Sequence, residues 1–155
     1  MLPNRNHESH IKPILYYIGA VVVGLGTLMY IPLIVALCYG EWKVVTDFAL
    51  SGGATLLLGG ALMLAFRPYR KQRLGWAEGM TVTASAWFIG MLVCAIPYSL
   101  SGNYNSYLDS CFDVMSGLTT TGLTLVQDMD HLSNGVNMWR HLLTFLGGQG
   151  MVVLV

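Results

Sequence analysis

The run Thr119-Thr120-Thr121-Gly122-Leu123-Thr124 sets four hydroxyls and a glycine between two apolar stretches. Threonine and glycine are poor helix formers, so the run reads as extended or irregular chain. Consecutive extended residues can turn their carbonyls to one side, and a glycine admits dihedrals closed to other residues. Such a row of neutral oxygens can replace the water shell of a monovalent cation. Potassium, which holds its water loosely, suits it. Magnesium or calcium would call for carboxylates, and the run contains none. The plainer reading is a Ser/Thr/Gly loop joining two helices, and the six residues alone leave both open.

Other side chains nearby could act on a cation at longer range. Asp128 and Asp130 follow the run in a stretch without basic residues. There they could concentrate cations by their local field or simply be solvated loop charges. Asp109 and Asp113 precede it and are suited to capping or anchoring a helix whose N-terminal half favours negative charge. Arg140 is expected to snorkel to an interface or pair with an acid. Elsewhere, His7, Glu8 and His10 have no further ligands near in sequence, so a solvated leader is expected rather than a metal site. Cys38, Cys94 and Cys111 lack CxxC spacing and read as small apolar residues. No nucleophile–base pair or phosphate-binding glycine loop appears, so the chain is not expected to be an enzyme, and no cofactor is implied.

The solvent explains the setting of the run. Of the 155 residues, 54% are hydrophobic and 10% charged, with mean hydropathy +0.57. Soluble domains carry about 25% charged residues, so an all-α membrane protein embedded in lipid is expected. The 8 basic and 8 acidic residues cancel, and no basic stripe points to nucleic acid.

Ile14 to Cys38 is uncharged and long enough to cross a core of about 30 Å, with Pro32 inside it. Phe48 to Phe66 is a second span, with Gly52, Gly53, Gly59, Gly60 and Ala61 as close-packing candidates. The turn between them is Tyr39 to Lys43. The loop with Arg67, Arg70, Lys71 and Arg73 marks the cytoplasmic side. Two spans precede it, so the N-terminus is expected to be cytoplasmic too. Residues 80–100 form a third, outward span. Residues 106–117 make a helix of about 18 Å, too short to cross. Residues 119–124 are the candidate filter, 125–138 an external loop, and 139–155 a partial span.

Domain organisation follows as a tail at 1–13, a two-helix transmembrane hairpin at 14–74 and a pore repeat at 75–155. The apolar stretch from Leu142 to Val155 reaches only about 21 Å, so an N-terminal fragment of a longer chain is expected. Irregular backbone at membrane depth is tolerated where it is buried in protein or lines a watery cavity. A re-entrant loop would meet that condition, and the short helix would aim the negative end of its dipole at the membrane centre.

The stretches FDVMSGLTTTGLT and WRHLLTFLGGQGMVV resemble the first pore repeat of the Trk/Ktr/HKT superfamily of potassium transporters. With two leading spans the layout is most similar to the bacterial Trk-type membrane subunit. The resemblance implies four span–pore-helix–span repeats in one polypeptide around a single pore in the cell (plasma or inner) membrane. Residues 119–124 would then be one of four filter strands. Gly122 takes the place of the family's filter glycine, with the carbonyls of Thr120 and Thr121 beside it as potassium ligands. It also implies a homodimer and a cytoplasmic nucleotide-binding regulatory subunit of the Trk/Ktr kind. Asp113 departs from the usual pore-helix glutamate, and Gln149 stands where an apolar residue is common. The alternatives are a homotetrameric cation channel with one filter per chain and a non-conducting multipass protein. The former would lack its TVGYG signature.

Overall fold

A computed structural model describes the backbone of residues 5–70, 75–126 and 128–154 and the side chains of residues 11–70, 75–126 and 128–150. Lys71 and Arg73 of the basic loop lie outside the described residues. The fold is all-α. Helix α1 (Arg5–Leu28) leads into α2 (Tyr30–Cys38), and α3 (Trp42–Ala65) returns to a 3-10 turn at Arg67–Tyr69. Helix α4 (Trp76–Cys94) and α5 (Ile96–Ser101) cross once more. Then come the short α6 (Tyr107–Leu118) and the long α7 (Asn134–Leu154). Among the described residues, three stretches are long and apolar enough to cross a membrane: Ile11–Cys38, Trp42–Ala65 and Trp76–Ser101.

Both breaks within spans have the same cause. Proline lacks the N–H that would bond the carbonyl four residues earlier, and its ring crowds that carbonyl. Pro32 stands four residues past Leu28, where α1 ends, and Pro97 stands one residue inside α5. The carbonyls near the second break are used by other elements. Trp139 Nε1 donates to the Cys94 carbonyl at 3.2 Å, and the Tyr107 hydroxyl donates to Leu92 O.

Helix α1 lies along α3 and touches α4, while α2 packs on both α3 and α7. Among the small residues of α3, Gly59 is a true close approach: a Cβ there would come within 2.8 Å of the Val23 amide nitrogen. Gly53 and Gly60 have nothing within reach. The core gathers at the end of the bundle that holds the α2–α3 turn. Phe48, Tyr98, Val114, Val136, Trp139 and Leu143 are all buried there. Phe48 and Trp139 meet edge to face, 6.0 Å between ring centres. Tyr39 and Trp42 stand exposed at the turn, as aromatic residues do at a membrane interface. Cys94 and Cys111 are buried, whereas Cys38 is exposed at the end of α2.

Trp139 thus joins α3, the α4–α5 break and α7. Trp139→Ala is expected to cost about 3–5 kcal/mol. Trp139→Phe, which keeps the ring but orphans the Cys94 carbonyl, is expected to cost about 1–3 kcal/mol. Thermal unfolding of the purified protein in detergent should rank the two in that order.

Candidate ion site

Helix α6 begins where Ser106, in extended conformation, accepts the Asp109 amide at 3.1 Å. Asp109 lies in the first turn, where a negative charge complements the helix dipole. The helix start is five residues beyond Gly102, the left-handed residue that closes α5. Its other end is much deeper. A Cβ at Gly147 would overlap the Leu118 carbonyl, so the end of α6 rests on the bare backbone of α7. Gly147 is thirteen residues from the start of α7, about 20 Å along its axis. The chain therefore descends through α6, turns at Thr119 and climbs back to Asn134. The structure brings Thr119 to Thr124 together at this turning point.

The turn is built on the last carbonyls of α6. Thr119 N–H donates to Met115 O and Thr120 N–H to Gly117 O, both at 2.9 Å. The next two amides converge on one acceptor, Ser116 O: Thr121 N–H at 2.9 Å and Gly122 N–H at 3.4 Å. A trans peptide sets its C=O opposite its N–H, and the chain has no cis bond among the described residues. The carbonyls of Thr120 and Thr121 share those two peptide planes. They consequently point away from α6, towards the side on which Thr120, Thr121, Gly122 and Leu123 are exposed.

Backbone conformation follows the same demand. Gly122 has φ +80° and Thr120 φ +56°. The glycine was legible in sequence as a residue free to adopt such a dihedral. Left-handed threonine was not, because a β-branched residue there costs about 1–3 kcal/mol and is seldom seen. The Thr119 hydroxyl braces it, donating to Met115 O at 2.8 Å and meeting the Thr121 hydroxyl at 2.8 Å.

The returning limb is tied to the middle of α6. Asp113 Oδ1 accepts the Leu125 amide at 3.3 Å, and Oδ2 accepts the Tyr104 hydroxyl at 2.7 Å. Arg140 Nε on α7 stands 3.7 Å from Oδ2. Asp113 is buried, and a buried carboxylate is tolerated when it is paired and hydrogen-bonded. Burial, reinforced by the hydrogen bond to Asp113, pushes the Tyr104 phenol up, so it stays a donor. Its ring stacks on Tyr98, 5.1 Å between centres. A cavity of about 60 Å³ lies between Gly122, Leu123, Asp113, Arg140 and Thr144, room for a few waters. The anchoring expected of Asp113 and the acid partner expected for Arg140 are thus one interaction.

The loop charges sit elsewhere. Asp128 and Asp130 are both exposed, and the Asp128 carboxylate is engaged by His131, whose ring Nδ1 lies 2.8 Å away. Gln127 lies outside the described residues. Gln149 is exposed and lines an apolar groove with Val21, Trp87 and Leu146.

Helix α7 begins at Asn134, five residues before the apolar run that starts with Trp139. The reason is distant in sequence. Glu41, in the α2–α3 turn, accepts the amides of Asn134 at 2.7 Å and Gly135 at 3.0 Å.

The fold is that of an all-α membrane protein with a short helix and an irregular loop set among its long helices, and comparison with known proteins specifies its family. The chain belongs to the TrkH family of cation transport proteins, whose family model matches residues 46–155. An uncharacterized cation transporter of Methanocaldococcus jannaschii is 33% identical over 95% of this chain and 30% of its own length. The Trk system potassium uptake protein TrkH of Halomonas elongata is 31% identical over 93% of the chain, again 30% of its length. TrkG of Escherichia coli, also a Trk system potassium uptake protein, is 28% identical over 96% of the chain and 30% of its own length. The chain therefore spans about a third of these relatives.

Asp113 and Arg140 should be energetically coupled. Asp113→Asn and Arg140→Gln are each expected to lower stability by about 3–5 kcal/mol, as breaking a buried pair does. The double variant should fall short of the sum by more than about 1 kcal/mol. A thermal-stability cycle on the full-length protein measures this.

Proposed function

We propose that this chain supplies one of four filter strands in a potassium uptake transporter of the cell membrane. Ions enter from outside, exchange water for backbone oxygens at Thr119 to Thr124, and pass to the cytoplasm. The observation that carries the reading is the pair of amides converging on the Ser116 carbonyl, which turns the carbonyls of Thr120 and Thr121 to the open face. Thr120, Thr121 and Gly122 are the potassium positions in this reading. A row of neutral carbonyls suits a monovalent cation, and the C-terminal end of α6 adds its partial negative charge.

Orientation follows from charge. Arg67 and Arg70, with Lys12, lie at the end opposite the α2–α3 turn, and basic residues mark the cytoplasmic face. Lys12 is over the Tyr69 ring, 5.4 Å from its centre, which supports their lying at one end. The N-terminus is then cytoplasmic and the loop with Asp128 and Asp130 external, able to raise the local cation concentration. Residues 1–13 would be the tail, 14–74 the leading hairpin and 75–155 the first pore repeat. Three further repeats, a homodimer and a cytoplasmic nucleotide-binding subunit of the Trk/Ktr kind complete the assembly in this reading. That the matched stretch is about 30% of each relative leaves room for such repeats.

Potassium-limited growth and rubidium uptake, in cells lacking other uptake systems and carrying the full-length protein, test the filter. Gly122→Ser puts a Cβ at φ +80°, a strain of about 1–2 kcal/mol. It is expected to reduce uptake at least tenfold or let sodium compete. Unchanged uptake and selectivity would remove Gly122 from the ion path. Replacing Asp128 and Asp130 by Asn should raise the apparent KM two- to threefold at low ionic strength and less in about 0.15 M salt. A change insensitive to salt would remove them from a steering role.

A further inference from the structure

The loop between the candidate filter and α7 is held at both ends by carboxylates that accept backbone amides. At its start Leu125 donates to Asp113. At its end Asn134 and Gly135 donate to Glu41, more than 90 residues away in the chain. Among the described residues Glu41 takes three donors: the Asn134 amide and side-chain Nδ2, at 2.7 and 3.0 Å on Oε1, and the Gly135 amide at 3.0 Å on Oε2. Hydrogen bonds to an ionised acceptor are stronger than neutral ones, and the start of a helix carries partial positive charge. The contact is close as well as polar. A Cβ at Gly135 would stand 2.8 Å from Val44 Cγ1 and 2.9 Å from Ala36 Cβ. The first turn of α7 is thus seated between α2 and α3.

Two residues further on, Lys43 Nζ donates to the Ser101 carbonyl at 3.1 Å, at the C-terminal end of α5. Glu41 at the N-cap of α3 and Lys43 in its first turn therefore place an anion on one helix N-terminus and a cation on another helix's C-terminus, each matching the local dipole. Both helix ends flank the segment that carries α6 and the filter run. From Glu41 the mechanical connection is short. Asn134 starts the helix that presents Arg140 six residues later, and Arg140 faces the Asp113 carboxylate that holds Leu125.

We propose that Glu41, assisted by Lys43, is a positioning residue for the ion path: the leading hairpin sets the height of α7 and of the mouth loop, and through Asp113 the geometry of the filter. The proposal rests on the filter reading above. Glu41 touches no ion. It acts on ion binding through α7, so its loss should weaken apparent affinity more than it lowers the maximal rate.

The test uses the full-length protein in uptake-deficient cells, with KM and maximal rate normalised to protein at the membrane. Glu41→Gln keeps the shape but turns one acceptor into a donor against an amide. It is expected to raise KM for potassium about three- to tenfold, a change of about 0.7–1.4 kcal/mol, with maximal rate within twofold. Asn134→Ala removes one of the three donors and should raise KM less, in the same direction. Glu41→Gln combined with Asn134→Asp restores a local cap to α7 but leaves the hairpin untethered. It should recover thermal stability and leave KM high. Recovery of both would make Glu41 a helix cap only and overturn the proposal. So would a loss confined to maximal rate, or a failure of Glu41→Gln to reach the membrane with Asn134→Ala at the wild-type KM. Gly122→Ser, run in parallel, separates the two readings. If it changes selectivity while Glu41→Gln leaves KM alone, the clamp fails and the filter stands; if Gly122→Ser changes nothing, the filter reading itself fails.

Discussion

The carbonyl of Ser116 receives two successive amides, and that single acceptor decides which way the loop after α6 presents its oxygens. A helix end leaves its last carbonyls without intrahelical donors, and those that are buried must find partners elsewhere. Folding the next residues back over the helix end solves the problem for α6. Because each peptide is rigid and trans, it also turns the opposite edge of those planes outward. The oxygens of Thr120 and Thr121 face the open side as a consequence of satisfying the helix. Threonine suits the position because its hydroxyl can close the turn locally, as Thr119 does to Met115 O. The cost is a left-handed Thr120, which the surrounding hydrogen bonds hold in place.

A loop shaped this way needs a fixed far end. Asp113 provides it by holding Leu125, and it is itself held by Tyr104 and Arg140. Four segments of the chain meet at that carboxylate: the link before α6, α6 itself, the returning limb and α7. A buried charge with one partner removed is far more costly than a pair exposed to water. The arrangement is therefore stable as a whole and sensitive in each part. The bare backbone at Gly147, against which Leu118 rests, completes the seat from below.

The spans were legible in sequence because lipid leaves a coarse mark: long uncharged runs with basic residues at one end. The short α6 was legible by its length, and Thr119 to Thr124 by its composition. What was not legible depends on partners distant in the chain. Nothing near Glu41 announces a contact with Asn134, and the apolar pattern starts α7 at Trp139 because the turn before it is polar. Asp113 was readable as an anchor but not as a four-way junction, since Tyr104 and Leu125 carry no local signal of their roles. Gln149, which stands where an apolar residue is common, is exposed beside an apolar groove. Pattern reading reports the solvent a residue meets more faithfully than the neighbour it meets.

Helix association in a membrane adds a reason why the polar contacts at the α2–α3 turn carry weight. Apolar side chains gain little by leaving lipid for protein, so association depends on close packing and hydrogen bonds. The leading hairpin meets α7 through both: the Gly135 backbone fits between Ala36 and Val44, and the Glu41 carboxylate closes the end. The family model begins at residue 46, after Glu41 and Lys43, whereas the individual relatives align over nearly the whole chain. Helices α1 and α2 and the turn with Glu41 thus precede the matched stretch, while α3 lies largely within it. The hairpin's shape also limits what it can do. It contacts α7 and α5 without adding a side chain to Thr119–Thr124, so in the proposed reading it would tune the height of the strand while the ligand oxygens remained those of the backbone.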